Sequence, residues 1–491
     1  MRLGSLLARL PGAELRGDPG LEVADVAHDS RRAGPGSLFV AIRGLATDGN
    51  RFVGAARRKG AVAVCSEEPP SGEGAWVRVA DAREALATLA AAMLGDPARA
   101  LELVGVTGTN GKTTTAYLVD SALRAAGETV GLLGTVQYRV GDRIAEAVRT
   151  TPESSDLQAL FREMADAGCR RAVLEVSSHS LVLKRVHGLE FRVAVFTNLT
   201  RDHLDFHGDM DAYFEAKRRL FERHLRADGH AVVNLDDDRG PDVVAASRGR
   251  VFTYSVRNPK ADLLAEDIRL SLDGTRFRAR TPGGVLEVET PLLGVFNVQN
   301  ALAAIGAGLA LGLPGDAVQR GIAALKGVSG RMERVVAGQD FTVLVDYAHT
   351  DDALKNLLET VRGLSPRRVI TVFGCGGDRD RTKRPLMGAV AARLSDVVVL
   401  TSDNPRSEPP EAILEEIRRG IPPARAADTL VVPDRRDAIA RALEMGREGV
   451  VVVIAGKGHE PYQVLRDRTV PFDDRQVARE VLARIVARGR S

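Results

Sequence analysis

The stretch Leu101-Glu102-Leu103-Val104-Gly105-Val106-Thr107-Gly108-Thr109-Asn110-Gly111-Lys112-Thr113-Thr114 decides how this 491-residue chain is read. Leu101–Val106 is a short apolar run of strand composition. Gly108 to Thr113 then form a glycine-rich turn, and Thr114–Ala126 keeps apolar residues at helical spacing until Gly127, a residue suited to a helix stop. Strand, turn and helix in that order aim several backbone N–H groups and one lysine at a single point, which suits the triphosphate of ATP or GTP. The match departs from the common G-x-x-x-x-G-K-[ST] form. Five residues before Gly111 stands Val106, and the glycines available are Gly105 and Gly108.

Composition narrows the remaining classes. With 44% hydrophobic residues the chain can bury large cores, and a prior of about 150 residues per domain suggests three of them. Lys+Arg 68 against Asp+Glu 65 leaves a net charge of +3, and aromatics make up 4%; this is no footprint of nucleic-acid binding. Cys65, Cys169 and Cys375 are odd in number and lack C-x-x-C spacing, which argues against a disulfide framework or a zinc site and fits a reducing cytoplasm. The start, Met1–Ala13, is broken by Arg9 and Pro11, and no run approaches the ~18 apolar residues of a membrane span, so neither export nor membrane insertion is expected. Of the 68 basic residues nine are lysine, leaving 59 arginines. Each lysine in so arginine-rich a chain is a candidate for work that needs a compact or titrating amine.

Three segments follow. The first, residues 1–98, has short strand-like runs at Leu38–Ile42, Ala61–Cys65 and Trp76–Ala80, then a helix opened by Asp81-Ala82-Arg83-Glu84 as a capping box, and Asp96-Pro97 as a linker. The second, residues 99–329, alternates strands (Leu101–Val106, Ala172–Val176, Val193–Thr197, Ala231–Asn234) with helices, the pattern of a parallel sheet. A hairpin around Pro282-Gly283-Gly284 and a helix at Leu302–Leu313 follow. The third, residues 330–491, repeats the alternation with Phe341–Asp346, Val369–Phe373, Val397–Thr401 and Val450–Ala455. In such sheets ligands bind beyond the carboxyl ends of the strands. Those ends read Asp346-Tyr347-Ala348-His349, Gly374 to Asp380, Asp403-Asn404-Pro405-Arg406 and Gly456-Lys457-Gly458-His459-Glu460. The expected fold class is α/β in three domains.

In the second segment Glu175 closes one strand, and Asn198–His207 follows the next. A carboxylate and the His203 imidazole near a phosphate loop suit Mg²⁺, with the Thr113 hydroxyl as a further ligand.

Taken together, Gly105–Thr114, Thr150-Thr151-Pro152, Glu175–Ser180, Asn198–Gly208, Tyr213–Lys217, Asn297–Asn300 and the four C-terminal motifs resemble the Mur ligases of peptidoglycan synthesis, and among them those that add the third amino acid. The resemblance spans nearly the whole chain. It implies a small N-terminal domain for the UDP-sugar nucleotide, a central P-loop ATPase-type domain and a Rossmann-like C-terminal domain for the amino acid. It also assigns roles. The ATP set is Gly108, Thr109, Asn110, Gly111, Lys112, Thr113 and Thr114 with Asn297, Asn300, Arg331 and Asp346, and Lys112 holds the transferred phosphoryl group. Thr113, Glu175 and His203 resemble magnesium ligands, and Lys217 matches a lysine that carries a CO₂-derived carbamate, an anion that arginine cannot form. Ser30, Thr150, Thr151, Ser177 and Arg185 resemble contacts to the UDP-sugar peptide; Leu183 departs from the family pattern, where a polar residue is common.

In the family, arginine at position 406 accompanies enzymes that add meso-diaminopimelate, whose second carboxylate a guanidinium fork matches. Arg379, Asp403, Asn404, Gly456 and Glu460 complete that set. The implied reaction is ATP-dependent addition of meso-diaminopimelate to the D-glutamate γ-carboxylate of UDP-N-acetylmuramoyl-L-alanyl-D-glutamate through an acyl phosphate, by a cytoplasmic monomer using Mg²⁺. Alternatives are the same ligation with L-lysine or L-ornithine, a folylpolyglutamate-type ligase without the first domain, and a nucleotide switch that forms no amide.

Overall fold

A computed structural model describes residues 1–44 and 47–489, so positions 45–46 and 490–491 of the first and third expected domains lie outside the described residues. The architecture is α/β throughout, in three successive large sheets, with a small two-stranded one, Tyr462–Val464 with Thr469–Pro471, near the end. In the first, Glu14–Arg16, Ala75–Arg78, Ala63–Ser66, Ser37–Val40 and Asp25–Ala27 lie side by side, parallel except for the edge strand Glu14–Arg16. The helix Ala82–Met93 packs on it with a continuous face of alanine and leucine. Asp81 caps that helix by accepting from the N–H groups of Arg83 and Glu84. The expected capping box is only half formed. Glu84 does not reach back but accepts from Lys184 at 2.6 Å, tying the first domain to the second.

The central sheet has eleven strands, many more than periodicity suggests. Its middle is parallel: Glu102–Thr107 lies between Phe191–Phe196 and Arg171–Glu175, every residue of its core face buried. Antiparallel strands extend both edges, Gln137–Val140 and Arg143–Glu146 on one side and the hairpin Gly274–Thr281 with Gly284–Thr290 on the other. Gly105 belongs to the strand and not to the turn, because a Cβ there would lie 2.8 Å from the Phe191 ring. That contact explains why position 105 is glycine. The alanine-rich helix starts earlier than its hydrophobic run, at Val295, and ends at Ala310.

The third sheet has six strands, with Thr342–Asp346, Val450–Ala455, Arg368–Phe373, Val397–Leu400 and Thr429–Val431 parallel in that order. One fully buried ion pair fixes its functional edge: Arg435 meets Asp474 with both guanidinium nitrogens at 2.7 Å and also donates to the carbonyls of Ser402 and Ala455. The loops beginning at Asp403 and Gly456 are therefore anchored to the same side chain. Among the described residues no helix is long and apolar enough to cross a membrane.

Candidate active site

The glycine turn is built by backbone conformations that other residues adopt poorly. Gly108 has φ +149° and Gly111 φ +86°, and the helix Lys112–Ala125 begins directly after them. The turn is lashed to the end of the neighbouring strand: Thr109 N donates to Asn198 O at 2.8 Å, Asn110 N to Asn198 Oδ1 at 2.9 Å, and Thr197 Oγ1 to Asn110 O at 2.6 Å. Lys112 Nζ donates to the carbonyls of Gly108 and Thr109, at 3.0 and 2.8 Å. Burial lowers its pKa, against the pull of Glu175 and Asp202.

Beside this loop stand the expected cation ligands. Thr113 Oγ1 donates to Glu175 Oε2 at 3.0 Å, and Glu175 also accepts from Thr135 N and Oγ1. Among the described residues no group of three His, Cys, Asp or Glu side chains gathers as a self-sufficient metal cage. The donor set still fits Mg²⁺, which is commonly held by one or two carboxylates together with substrate phosphates and water. His203 takes φ +54° at the cap of the helix Leu204–His207, which brings its ring edge-on to His179 at 4.7 Å. Burial pushes its imidazole well down, so it is neutral at neutral pH.

Lys217 is the most unusual group. It is 1% exposed on the helix Met210–Arg219, although it adjoins Arg218 and Arg219 in a sequence that reads as a solvated face. Its Nζ donates to Gly108 O at 2.7 Å and lies 4.3 Å from the Tyr213 ring centre. No carboxylate pairs with it among the described residues. Burial, reinforced by the nearby Lys112 charge, drives its pKa well below the ordinary lysine value, leaving an amine that can react as a nucleophile.

A cavity of about 810 Å³ opens over the loop and is walled by both the second and third sheets' loops. Arg331 crosses between them: its Nη2 lies 3.3 Å from Thr113 Oγ1 and its guanidinium carbon 4.6 Å from the Tyr347 ring. Asp346 holds the segment in place by accepting from Met332 N and Ala348 N, both at 2.7 Å. Asn110 Nδ2 makes a second crossing to Asp352 at 2.9 Å. Asn297 and Asn300 stand one turn apart on the helix Val295–Ala310, joined at 2.9 Å, and face the same cavity near Val295, Phe296 and Leu292. The walls are polar at the phosphate end and apolar at the other, as a nucleotide requires.

Of the residues expected to touch the UDP-sugar peptide, Thr150 and Ser177 line this cavity. Thr151 lies beside them, donating to Glu175 O at 2.7 Å, while Arg185 is bound to Glu153 and the Thr151 carbonyl. Ser30 is outside the cavity. Its neighbours dock on the following helix, His28 on Ser155 at 2.9 Å and Arg32 on Asp156 at 2.6 Å.

The amino-acid set forms a separate cluster at the third sheet. Asp403 is buried, and its carboxylate lies 2.6 Å from where a Gly456 Cβ would stand. Asn404 Nδ2 donates to Glu460 at 2.9 Å. Arg406, with φ +52°, donates to Gly377 O at 2.7 Å and lies 2.9 Å from a Cβ built on Gly376; Arg379 approaches the same point at 3.8 Å. Neither guanidinium pairs with a carboxylate among the described residues. Burial and the Arg379 charge together lower the Arg406 pKa.

Sequence reasoning missed several members. Lys457, fully buried, donates to Asn404 Oδ1 and Glu460 Oε2, both at 3.1 Å. It is one of the nine lysines, and its rarity was the available signal. Tyr347 joins the two sites, lining the cavity and approaching Glu460 at 3.4 Å. It stands in the strand-end stretch Asp346 to His349, but nothing there sets it apart from its neighbours.

Three family matches follow one another along the chain: Mur ligase family, catalytic domain, at residues 22–93; Mur ligase middle domain at 106–308; and Mur ligase, glutamate ligase domain, at 330–458. The chain is 52% identical over 490 residues, 98% of each chain, to a UDP-N-acetylmuramoyl-L-alanyl-D-glutamate--2,6-diaminopimelate ligase from Solibacter usitatus (strain Ellin6076). It is 46% identical to the protein of that name from Geobacillus thermodenitrificans (strain NG80-2), covering 98% of this chain and 99% of the relative. A solved structure of such a ligase is 34% identical and superposes with a TM-score of 0.71 over 100% of both chains. Three successive family matches, with 52% identity to a relative over 98% of both chains, show that the chain belongs to the Mur ligase family.

Proposed function

We propose that the protein is an ATP-dependent ligase joining meso-diaminopimelate to the D-glutamate γ-carboxylate of UDP-N-acetylmuramoyl-L-alanyl-D-glutamate in the cytoplasm. The observation that carries the choice of amino acid is the pair Arg379 and Arg406. Arg406 brings a guanidinium nitrogen over Gly376, the Cγ of Arg379 packs at the same point, and neither side chain has a carboxylate partner among the described residues; each fork matches a carboxylate bidentately. Asp403 and Glu460, close by, supply negative charge for an ammonium. Lysine has one carboxylate fewer and leaves a guanidinium unanswered. The domains on this reading are 1–98 for the UDP-sugar nucleotide, 99–329 for ATP and 330–491 for the amino acid.

A carboxylate is a poor electrophile, so its γ-oxygen first attacks the terminal phosphorus of ATP and ADP leaves. The resulting acyl phosphate is attacked by the amine, which loses a proton, and the tetrahedral intermediate expels phosphate. Lys112 exchanges the loop carbonyls it now caps for phosphate oxygens, and Arg331 adds a second positive charge from the opposite domain. Thr113, Glu175 and His203 would hold Mg²⁺, joined by Lys217 once its neutral amine has added CO₂ and released a proton to give a carbamate. When bound, the ion neutralises charge on the phosphates. Closure of the third domain over the cavity excludes water from the acyl phosphate.

The test is a panel in which phosphate release and amide product are both measured with ATP, the UDP-sugar peptide and each of diaminopimelate, lysine and ornithine. Turnover with diaminopimelate well above the other two is expected. Equal turnover with lysine removes the role given to Arg406, and phosphate release indifferent to both the peptide and the amino acid removes the ligase reading.

A further inference from the structure

Behind the helix that carries Lys217 lies a second cavity, of about 730 Å³, which shares no lining residue with the nucleotide cavity. Its wall contains five cationic side chains, Arg99, Lys184, Arg219, Arg223 and Arg226, against two carboxylates, Glu84 and Glu190. Lys184 is satisfied by Asp81 and Glu84, each at 2.6 Å, and Arg226 by Asp228 at 2.9 Å. Arg99, Arg219 and Arg223 form no ion pair among the described residues. Arg219 ends a helix, where a cation complements the helix dipole. That accounts for one guanidinium and not for three aimed at a common hollow.

The surroundings are those of an uncompensated positive field. His224 Nδ1 stands 3.2 Å from Leu189 O, and burial lowers its pKa, with His187, Arg223 and Arg219 pushing in the same direction. Arg219 caps and Arg223 lies within a single π turn, Leu220–His224, a distortion that recurs at functional sites. Arg99 comes from the connection between the first two sheets. An occupant touching all three would tie that connection to the Lys217 helix.

We propose that this cavity binds a small molecule through phosphate oxygens carrying at least two negative charges, recognised by Arg99, Arg219 and Arg223. The forks fit two-oxygen faces, and a compact dianion answers several forks at once, which a monocarboxylate cannot do. The source is either a free inorganic phosphate or the diphosphate of a nucleotide.

The experiment is isothermal titration of the full chain, and of its Lys112→Ala variant in which the nucleotide loop is disabled, using phosphate, pyrophosphate and CDP as separate probes. Saturable one-to-one binding of pyrophosphate is expected. CDP binding as tightly as pyrophosphate assigns the site to a nucleotide; pyrophosphate alone assigns it to the inorganic ion. Removal of two charge-assisted contacts in Arg99→Ala/Arg223→Ala should weaken binding by about tenfold or more, with ADP affinity and melting temperature unchanged. Arg219→Gln, if the double variant folds poorly, should weaken it in the same sense. No saturable binding to the parent protein, or equal affinity in parent and variants, overturns the proposal.

Discussion

Gly108→Ala probes the phosphate loop at the point where Lys112 and Lys217 meet. Gly108 O accepts from both Lys112 and Lys217. A Cβ at this position would stand 1.8 Å from Thr197 Oγ1, 3.0 Å from Asn198 N and 3.1 Å from Asn198 O, with φ at +149°. A side chain held at such a φ costs about 1–3 kcal/mol. Thr197 Oγ1 cannot yield freely, since it donates to the Asn110 carbonyl at 2.6 Å; that carbonyl keeps a second donor in Asn198 Nδ2, so losing the Thr197 bond adds about 0.5–1.5 kcal/mol. The sum, about 1.5–4.5 kcal/mol, is a sizeable part of the 5–15 kcal/mol that typically holds a domain. Calorimetry is the suitable assay, because the single tryptophan, Trp76, reports on the first sheet and not on the central one. The central transition should fall and ADP affinity with it. Adding Thr197→Ala removes the atom that is struck and should recover part of the loss, a coupling that a double-mutant cycle isolates. If Gly108→Ala melts and binds ADP like the parent, or the second substitution recovers nothing, the loop is not built as argued.

Three other outcomes follow from named contacts. Lys217→Ala should lose most ligation while still binding ADP, and short carboxylates added to the assay should restore part of it; full activity without them rules out the carbamate. Asp474→Ala strands the Arg435 guanidinium in the interior, which should cost about 3–5 kcal/mol in denaturant melts of the third domain, and a change under 1 kcal/mol contradicts the anchoring role. The hydrogen bonds from Arg384 bring the Glu408 carboxyl down from 4.5 to about 2. A depressed acid stabilises above its unfolded pKa and loses that contribution as pH falls through the folded one. Glu408→Gln should therefore be less stable than the parent at neutral pH, and the gap should close between pH 4.5 and about 2; a gap constant across that window refutes the assignment.

Local patterns exposed the phosphate loop, the four strand ends of the third sheet and the order of domains, because each rests on short-range spacing that survives without tertiary information. What escaped depends on distant contacts. Lys217 is singled out by its resemblance to a carbamate-bearing lysine, but its spacing beside Arg218 and Arg219 suits a solvated helix, and only the approach of Gly108, far away in sequence, shows it to be buried. The central sheet's outer strands are short and half-exposed, so their alternation is weak, as in Arg143–Glu146 with one partly buried position. Arg331 was expected to reach the ATP site from the third domain, and what spacing does not show is its meeting point, the hydroxyl of Thr113. Tyr347 and Lys457 connect the cavity to the amino-acid cluster, and no local pattern announces such a connection.

The central claim is that a substrate carboxylate is activated by accepting a phosphoryl group. Supplying UDP-sugar peptide with ¹⁸O in both oxygens of the D-glutamate γ-carboxylate tests it directly. One labelled oxygen should appear in the released phosphate and the other in the new amide, in step with product. Amide formed with unlabelled phosphate would contradict the acyl phosphate route and the roles given to Lys112 and Arg331.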